Sequence, residues 1–265
     1  MIRIAHLSDV HFGKIGHEGI VDAIVADVHD AEADLVIISG DLTQRARHRE
    51  LAAARDFLQR FEAEVMVIPG NHDVHPWWRP ERRLFTPLHR YKQYISRDLR
   101  PHIERDGLSV LGLSSAHGWT VKGGRLRRAD RAFAARYFAR QPSEAFRILA
   151  VHHHLAPLTA LGKHDLIRGR SHRKAMLAAH IDLVLCGHLH ISHVAQIPVP
   201  GREQPTVIAS AGTATSTRGR KSNKGVNYYN HILLADDHFI VEERRFDVDR
   251  VVYETERQTR LVRST

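Results

Sequence analysis

The 265-residue chain has a single cysteine, Cys186, a scarcity that excludes an internal disulfide and gives no support to a thiolate metal cluster. Cys186 stands in the apolar run IDLVLCG, where it reads as a buried core thiol rather than a redox group. Long hydrophobic runs are missing too. None approaches the ~18 residues that span a bilayer, and the opening MIRIAHLSDV runs into a strand-like pattern without the regions of a signal peptide. A cytoplasmic protein with no membrane span is the expectation, and no internal repeat or composition break marks a domain boundary.

Histidine and positive charge are present in quantity. Twenty-one histidines accompany 39 Lys and Arg against 30 Asp and Glu, a formal net charge of +9. That excess favours anionic partners such as phosphate esters and leaves nucleic acid open as a partner. The local clusters at 79–83, 125–131 and 244–245 read first as solvated faces. Imidazole is the commonest metal ligand, so the placement of the histidines carries more information than the net charge.

Hydrophobic periodicity gives strands at 2–7, 34–39 and 64–69, separated by helices at 17–31 and 46–61; the first helix has Ile20, Ile24, Val25 and Val28 on one face. Strand–helix–strand units of this length imply parallel strands with right-handed crossovers, an α/β architecture. Residues 74–101, rich in aromatics, proline and arginine, break the rhythm as a partly helical excursion or a mobile cap. Strands at 108–113, 146–151 and 182–186 then alternate with helices at 129–139 and 171–180. Beyond His190, strands at 206–211, 228–235 and 239–247 come without helices between them, which predicts an antiparallel second sheet. Residues 212–225 read as a long loop and 254–265 as a polar tail.

Each apolar strand runs into polar residues. Asp9 and His11 come after the first, Asp41 after the second, and Asn71, His72 and Asp73 after the third; His152, His153 and His154 succeed the strand at 146–151, and His188 and His190 the strand at 182–186. In an open parallel sheet the carboxyl ends lie along one edge, so these groups converge on one crevice. Asp9 and His11, two apart in an extended chain, can reach one cation. Asp41 can bridge two cations, Asn71 offers a neutral oxygen, and His188 and His190 could serve either ion. Oxygen and nitrogen donors without thiolate suit two divalent or trivalent ions of Mn, Fe or Zn, mixed pairs included. Two such ions polarise a phosphoryl oxygen and lower the pKa of a bridging water, which makes phosphate-ester hydrolysis the expected chemistry. Gly40, Gly70 and Gly187 precede ligands at sharp exits, where positive φ or close backbone approach favours glycine.

Within the histidine triplet, His152 is nearest the edge, and strand alternation sends His153 to the opposite side and His154 back, roughly 6.5–7 Å further on. His152 is therefore the expected ligand, with His153 and His154 as candidate substrate contacts. Trp77 and Trp78 are read first as core packing of the excursion, with stacking on a nucleobase as the alternative. No Arg or Lys stands within the polar blocks, which favours a singly charged diester over a monoester.

Taken in order over residues 1–190, Asp9-x-His11, Gly40-Asp41, Gly70-Asn71-His72-Asp73, His152 and Gly187-His188-x-His190 resemble the calcineurin-like metallophosphoesterase superfamily. Within it, HLSDVHFG, GNHDV, GHLH and GGRLRRADRAFAARYF are similar to bacterial class III cyclic-nucleotide phosphodiesterase-like proteins. The sequence departs from that pattern at His152-His153-His154-Leu155, where many relatives have two histidines followed by proline. The resemblance implies one domain over 1–265, a four-layer α/β/β/α sandwich with two mixed sheets and a dinuclear site at the strand carboxyl edge. It implies one ion on Asp9, His11, Asp41 and His190 and another on Asp41, Asn71, His152 and His188. His72 would be the non-ligand histidine that stabilises phosphoryl oxygens or protonates the leaving group, held in orientation by Asp73. The implied reaction is in-line attack of a metal-bridging hydroxide on cyclic nucleotides or related phosphodiesters. The alternatives are a DNA or RNA nuclease, a nucleotide-sugar or lipid-linked pyrophosphatase, and a non-catalytic scaffold, which would be expected to lose ligands.

Overall fold

The computed structural model describes residues 1–105, 107–119, 123–157 and 166–263. The first half runs β1 (Ile2–Leu7), α1 (Ile20–Asp30), β2 (Leu35–Ile38), α2 (His48–Leu58), β3 (Glu64–Val67), α3 (Pro80–Phe85), α4 (His89–Tyr94), β4 (His102–Arg105) and β5 (Leu108–Leu113). The second runs α5 (Arg128–Ala139), β6 (Phe146–Val151), α6 (Arg170–Leu177), β7 (Leu183–Cys186), β8 (His193–Ile197), β9 (Thr206–Ser210), β10 (Tyr228–Leu234), β11 (His238–Asp247) and β12 (Val252–Val262). Two six-stranded mixed sheets result, ordered β12-β11-β10-β1-β2-β3 and β4-β5-β6-β7-β9-β8.

Strand alternation builds the layers. In the first sheet Ile4, Leu35, Ile37 and Met66 turn towards Val110, Ile148, Leu183 and Leu185 of the second, forming the core between the sheets. Their neighbours Ala5, Leu7, Val36 and Ile38 point the other way and pack on Ile24, Val28, Ala54 and Phe57 of α1 and α2. On the far side Leu111, Leu149, Val151 and Val184 meet Ala134 and Phe138 of α5 and Met176 of α6. These three cores define an α/β/β/α sandwich. Each fully buried Leu, Ile or Val contributes roughly 1.5–3 kcal/mol, and a one-residue slip of β1 or β2 would exchange the two faces, so register is strongly fixed.

The last third of the chain departs from the sequence expectation. β9 joins the second sheet parallel to β7, whereas β10, β11 and β12 add an antiparallel half to the first sheet. The stretch read as a polar tail is mostly strand β12, with Tyr253 and Leu261 buried and charged residues between them; residues 264 and 265 lie outside the described residues. Charged side chains are what an edge strand carries to block further pairing, and their density hides the strand pattern. The excursion at 74–101 forms α3 and α4. Its second half belongs to the first core, where Tyr91 is buried and donates its hydroxyl to the Val67 carbonyl at 3.3 Å.

Candidate metal centre

The parallel strands of both sheets end at one edge, and the backbone there is bent sharply. Asp9, His11, Asp41, His188 and His190 all have positive φ, between 53° and 69°. Each such residue carries strain of order 1–3 kcal/mol, which the surroundings must offset. Backbone bonds do so: Asp9 N donates to Gly40 O at 3.0 Å, His11 N to Asp41 O at 3.0 Å, and His188 N to the Asp9 carboxylate at 2.8 Å. Glycine is required where the exits close on the carboxylates. A Cβ at Gly70 would stand 2.1 Å from Asp41 Oδ1, and one at Gly187 would stand 1.8 Å from Ser8 Oγ and 2.4 Å from Asp9 Oδ2.

Two clusters of donor atoms form at this edge, Asp9, His11, Asp41 and His190 in one, His152, His153 and His188 in the other. His11 donates Nδ1–H to the Thr43 carbonyl at 3.1 Å, which leaves the Nε2 lone pair facing Asp9 Oδ1 at 3.5 Å and Asp41 Oδ2 at 3.7 Å. His190 Nε2 stands 3.3 Å from the same Asp9 oxygen. His152 repeats the pattern: Nδ1–H donates to Ser39 O at 2.8 Å, and Nε2 points at Asn71 Oδ1, 3.1 Å away, and Asp41 Oδ2, 3.3 Å away. Asn71 Oδ1 also lies 2.9 Å from His188 Nδ1. Asp41 Oδ2 is thus common to both groups.

These atoms fit cations. Asp9 Oδ1, His11 Nε2 and Asp41 Oδ2 are buried without a hydrogen-bond partner, and such convergence of acceptors is costly until a positive charge satisfies it. The ionisation equilibria show the same demand. Burial alone would raise the Asp41 carboxyl, yet the surrounding imidazoles of His152, His72 and His11 hold it well below the usual carboxylate range. Burial likewise opposes a charged His152, but the Asp41 carboxylate beside it raises the imidazole to about 9. A proton on His152 Nε2 does there what a bound cation would do. The nitrogen and oxygen donors, with no sulfur, suit divalent metal ions.

Three expectations need correction. His153 is not on the opposite side: β6 ends at Val151, so strand alternation does not extend through the bend at 152 and 153. Its ring lies 4.4 Å from that of His188 and 4.9 Å from that of His152, with Nδ1 2.8 Å from Ser115 Oγ. His154, read as a substrate contact, is buried with Nε2 3.0 Å from the Gly187 carbonyl and 3.3 Å from Ser210 Oγ, beside the buried Cys186. Asp73 does not steer the His72 ring. It braces the β2 and β3 exits by accepting from the backbone N–H of Gly70, Leu42 and Thr43 and from Thr43 Oγ1. His72 instead donates Nδ1–H to the Gln44 carbonyl at 2.8 Å and meets the His11 ring edge-on at 4.9 Å. Burial lowers its pKa to about 4, so the ring is neutral at pH 7 and Nε2 carries a lone pair.

Two participants were not read from sequence. Arg218, from the loop after β9, donates to Gln44 Oε1 at 3.1 Å, and its field reaches Asp41 and Asp9. The loop is pinned to the site by Thr213 Oγ1 on Asp9 O and Thr215 Oγ1 on Val10 O, both at 2.7 Å. Because β9 pairs parallel to β7, it exits at the ligand edge like the other parallel strands and delivers this loop there. His6, in the middle of β1, lies under the site in a buried network, its Nε2 2.9 Å from Ser39 Oγ and its Nδ1 3.2 Å from Asn230 Nδ2. Trp77 and Trp78 are not core; both are exposed.

Comparison with known proteins agrees with this geometry. The calcineurin-like phosphoesterase family matches residues 2–192. The chain is 27% identical over 203 residues to the 3′,5′-cyclic adenosine monophosphate phosphodiesterase CpdA of Escherichia coli strain K12, covering 71% of this chain and 70% of that protein. A shorter similarity, 32% over 80 residues, links it to the glycerophosphodiester phosphodiesterase GpdQ of Enterobacter lignolyticus, over 26% of this chain and 29% of that one. In fold it is similar to the purple acid phosphatase PPD1 of yellow lupin, Lupinus luteus, with a TM-score of 0.74 at 12% identity; the match takes in 98% of this chain and 53% of the lupin chain.

Proposed function

The chain belongs to the calcineurin-like phosphoesterase family, and on that premise we propose that this metal-dependent phosphoester hydrolase acts on phosphodiesters at a dinuclear centre. The observation that carries the reading is the placement of Asp41 Oδ2 between the His11 and His152 nitrogens, a carboxylate oxygen shared by two ligand groups. Asp9, His11, Asp41 and His190 would hold one ion, and Asp41, Asn71, His152 and His188 the other. When bound, the two ions polarise the phosphoryl oxygen and supply a water of lowered pKa as nucleophile.

The chain's own groups do the rest. Arg218 adds a fixed positive charge beside Asp41 for the substrate anion, held in place by Gln44. His72 Nε2 is the atom at which the proton for the departing oxygen is held. Burial opposes that proton in the free protein, and the negative charge of a bound diester offsets the opposition as the Asp41 carboxylate already does in part. The names of CpdA and GpdQ support diesters as the substrate class.

The test is turnover of bis(p-nitrophenyl) phosphate against p-nitrophenyl phosphate, with the same leaving group and the same manganese-loaded protein. Faster hydrolysis of the diester is expected. Faster hydrolysis of the monoester contradicts the substrate class.

A further inference from the structure

Beside His72 the structure carries a feature that hydrolysis alone does not require. Trp77 is 71% exposed and Trp78 46%, and the two rings stand perpendicular, centroids 5.7 Å apart, so that neither covers the other. Two adjacent exposed aromatic side chains make a contiguous apolar surface, the kind that marks a ligand-binding groove, where a single exposed ring such as Trp119 does not. They line a cleft whose other walls include His72, Asn71, Gln44 and Arg45. The cleft therefore opens on the residue that serves the leaving group and on one of the candidate metal ligands.

The walls are held in position. Glu50 accepts from Arg45 N at 2.7 Å, and the Gln44 carbonyl accepts from the His72 ring, so the 44–45 segment is tied both to α2 and to His72. Trp78 is flanked by the Arg45 guanidinium, 6.0 Å from the ring centroid. On the other side, Arg83 donates to the His75 carbonyl at 2.6 Å and so ties α3 to the segment that leads into the tryptophans.

We propose that Trp77 and Trp78 form the base-binding wall of the substrate site, which makes the preferred phosphodiester a nucleotide. The proposal rests on the phosphodiesterase reading and narrows it. An aromatic face next to a guanidinium and to amide groups suits a flat heterocycle, which stacks on the ring and uses the polar atoms at its edge. An acyl chain would need a continuous aliphatic wall, whereas Gln44, Arg45, Asn71 and His72 make this cleft mixed in polarity. With phosphate at the ion pair and a base in the cleft, the sugar of a nucleotide spans the interval past His72. No bond is made or broken at the tryptophans; their contribution is to binding.

The chain has three tryptophans, and the third, Trp119, is exposed, so a Trp119→Phe protein reports fluorescence from Trp77 and Trp78 alone without disturbing the core. This protein, metal-loaded, is titrated with AMP and with ribose 5-phosphate, which share the sugar phosphate and differ in the base. Inhibition constants against bis(p-nitrophenyl) phosphate hydrolysis are measured in parallel. AMP should quench the fluorescence and bind at least about fivefold more tightly than ribose 5-phosphate, the lower end of what one stacked base contributes. The Trp77→Leu/Trp78→Leu protein should lose that advantage. Equal affinities, no quenching by AMP, or an advantage that survives in the double variant overturns the base site while leaving diester hydrolysis intact. Quenching by AMP in a protein that hydrolyses no diester supports the base site and overturns the phosphodiesterase reading instead.

Discussion

The carbonyl oxygen of Gln44 lies 2.8 Å from Nδ1 of His72, and the side chain of the same glutamine accepts from Arg218 at 3.1 Å. One residue of the β2 exit thereby fixes the tautomer of His72 and the position of the Arg218 guanidinium. Because a carbonyl can only accept, Nδ1 of His72 keeps its proton and the lone pair is on Nε2.

If His72 manages a proton and holds no ion, His72→Ala retains its metals and loses turnover by ~10²–10⁴, the scale of a positioned acid or electrostatic donor. The loss is smaller for a p-nitrophenolate leaving group, which scarcely needs protonation, than for an alkoxide. Metal content and kcat with the two leaving groups check both parts; loss of metal from the variant would make His72 a ligand.

Arg218 is expected to act on binding. A hydrogen bond to a charged group contributes about 1.5–3 kcal/mol, so Arg218→Ala should raise KM for an anionic diester roughly 10- to 100-fold with metals retained. Arg218→Lys should recover part of this, since it restores charge but not the planar fork. An unchanged KM in the alanine variant removes Arg218 from the site.

His6 gives the fold a measurable acid sensitivity. Burial lowers its pKa to about 3 against the nearby Asp9 charge, so the unfolded chain takes up the proton first. Stability from a neutral His6 is complete above its unfolded pKa, about 6.5, and is lost as pH falls below it, at most ~1.4 kcal/mol per pH unit. Between pH 7 and pH 5 this amounts to about 2 kcal/mol. Urea unfolding of wild type and His6→Gln at both values should show the variant less pH-sensitive by about that amount; parallel pH dependence contradicts the assignment.

Much of this centre is legible in the sequence because parallel strands deliver the residues just past their carboxyl ends to one edge. Asp9, His11, Asp41, Asn71, His152, His188 and His190 can be picked out as the polar residues at the end of each apolar run, and the structure brings all seven together. The inferences that failed extend a local rule past its element. Alternation misplaced His153 because the strand had already ended at Val151. The family resemblance implies Asp73 as the partner that orients His72, whereas the exit turn aims its carboxylate at backbone amides across 30 residues. Arg218 was missed for a third reason: the direction of β9 is set by its pairing with β7, which local pattern does not encode. For Trp77 and Trp78 the sequence leaves core packing and stacking on a nucleobase as alternatives, and only the packing of α3 and α4 shows them left outside.

The central claim is that Asp41 is shared by two ions that together hydrolyse a diester. The most direct measurement is metal content per chain, by mass spectrometry after manganese loading and desalting, alongside bis(p-nitrophenyl) phosphate turnover, for wild type, Asn71→Ala and Asp41→Asn. Wild type should hold about two ions, Asn71→Ala about one and Asp41→Asn fewer than one, with turnover lost in step and abolished in wild type by chelator. Two ions in Asp41→Asn, or turnover that persists in chelated wild-type protein, would contradict the account.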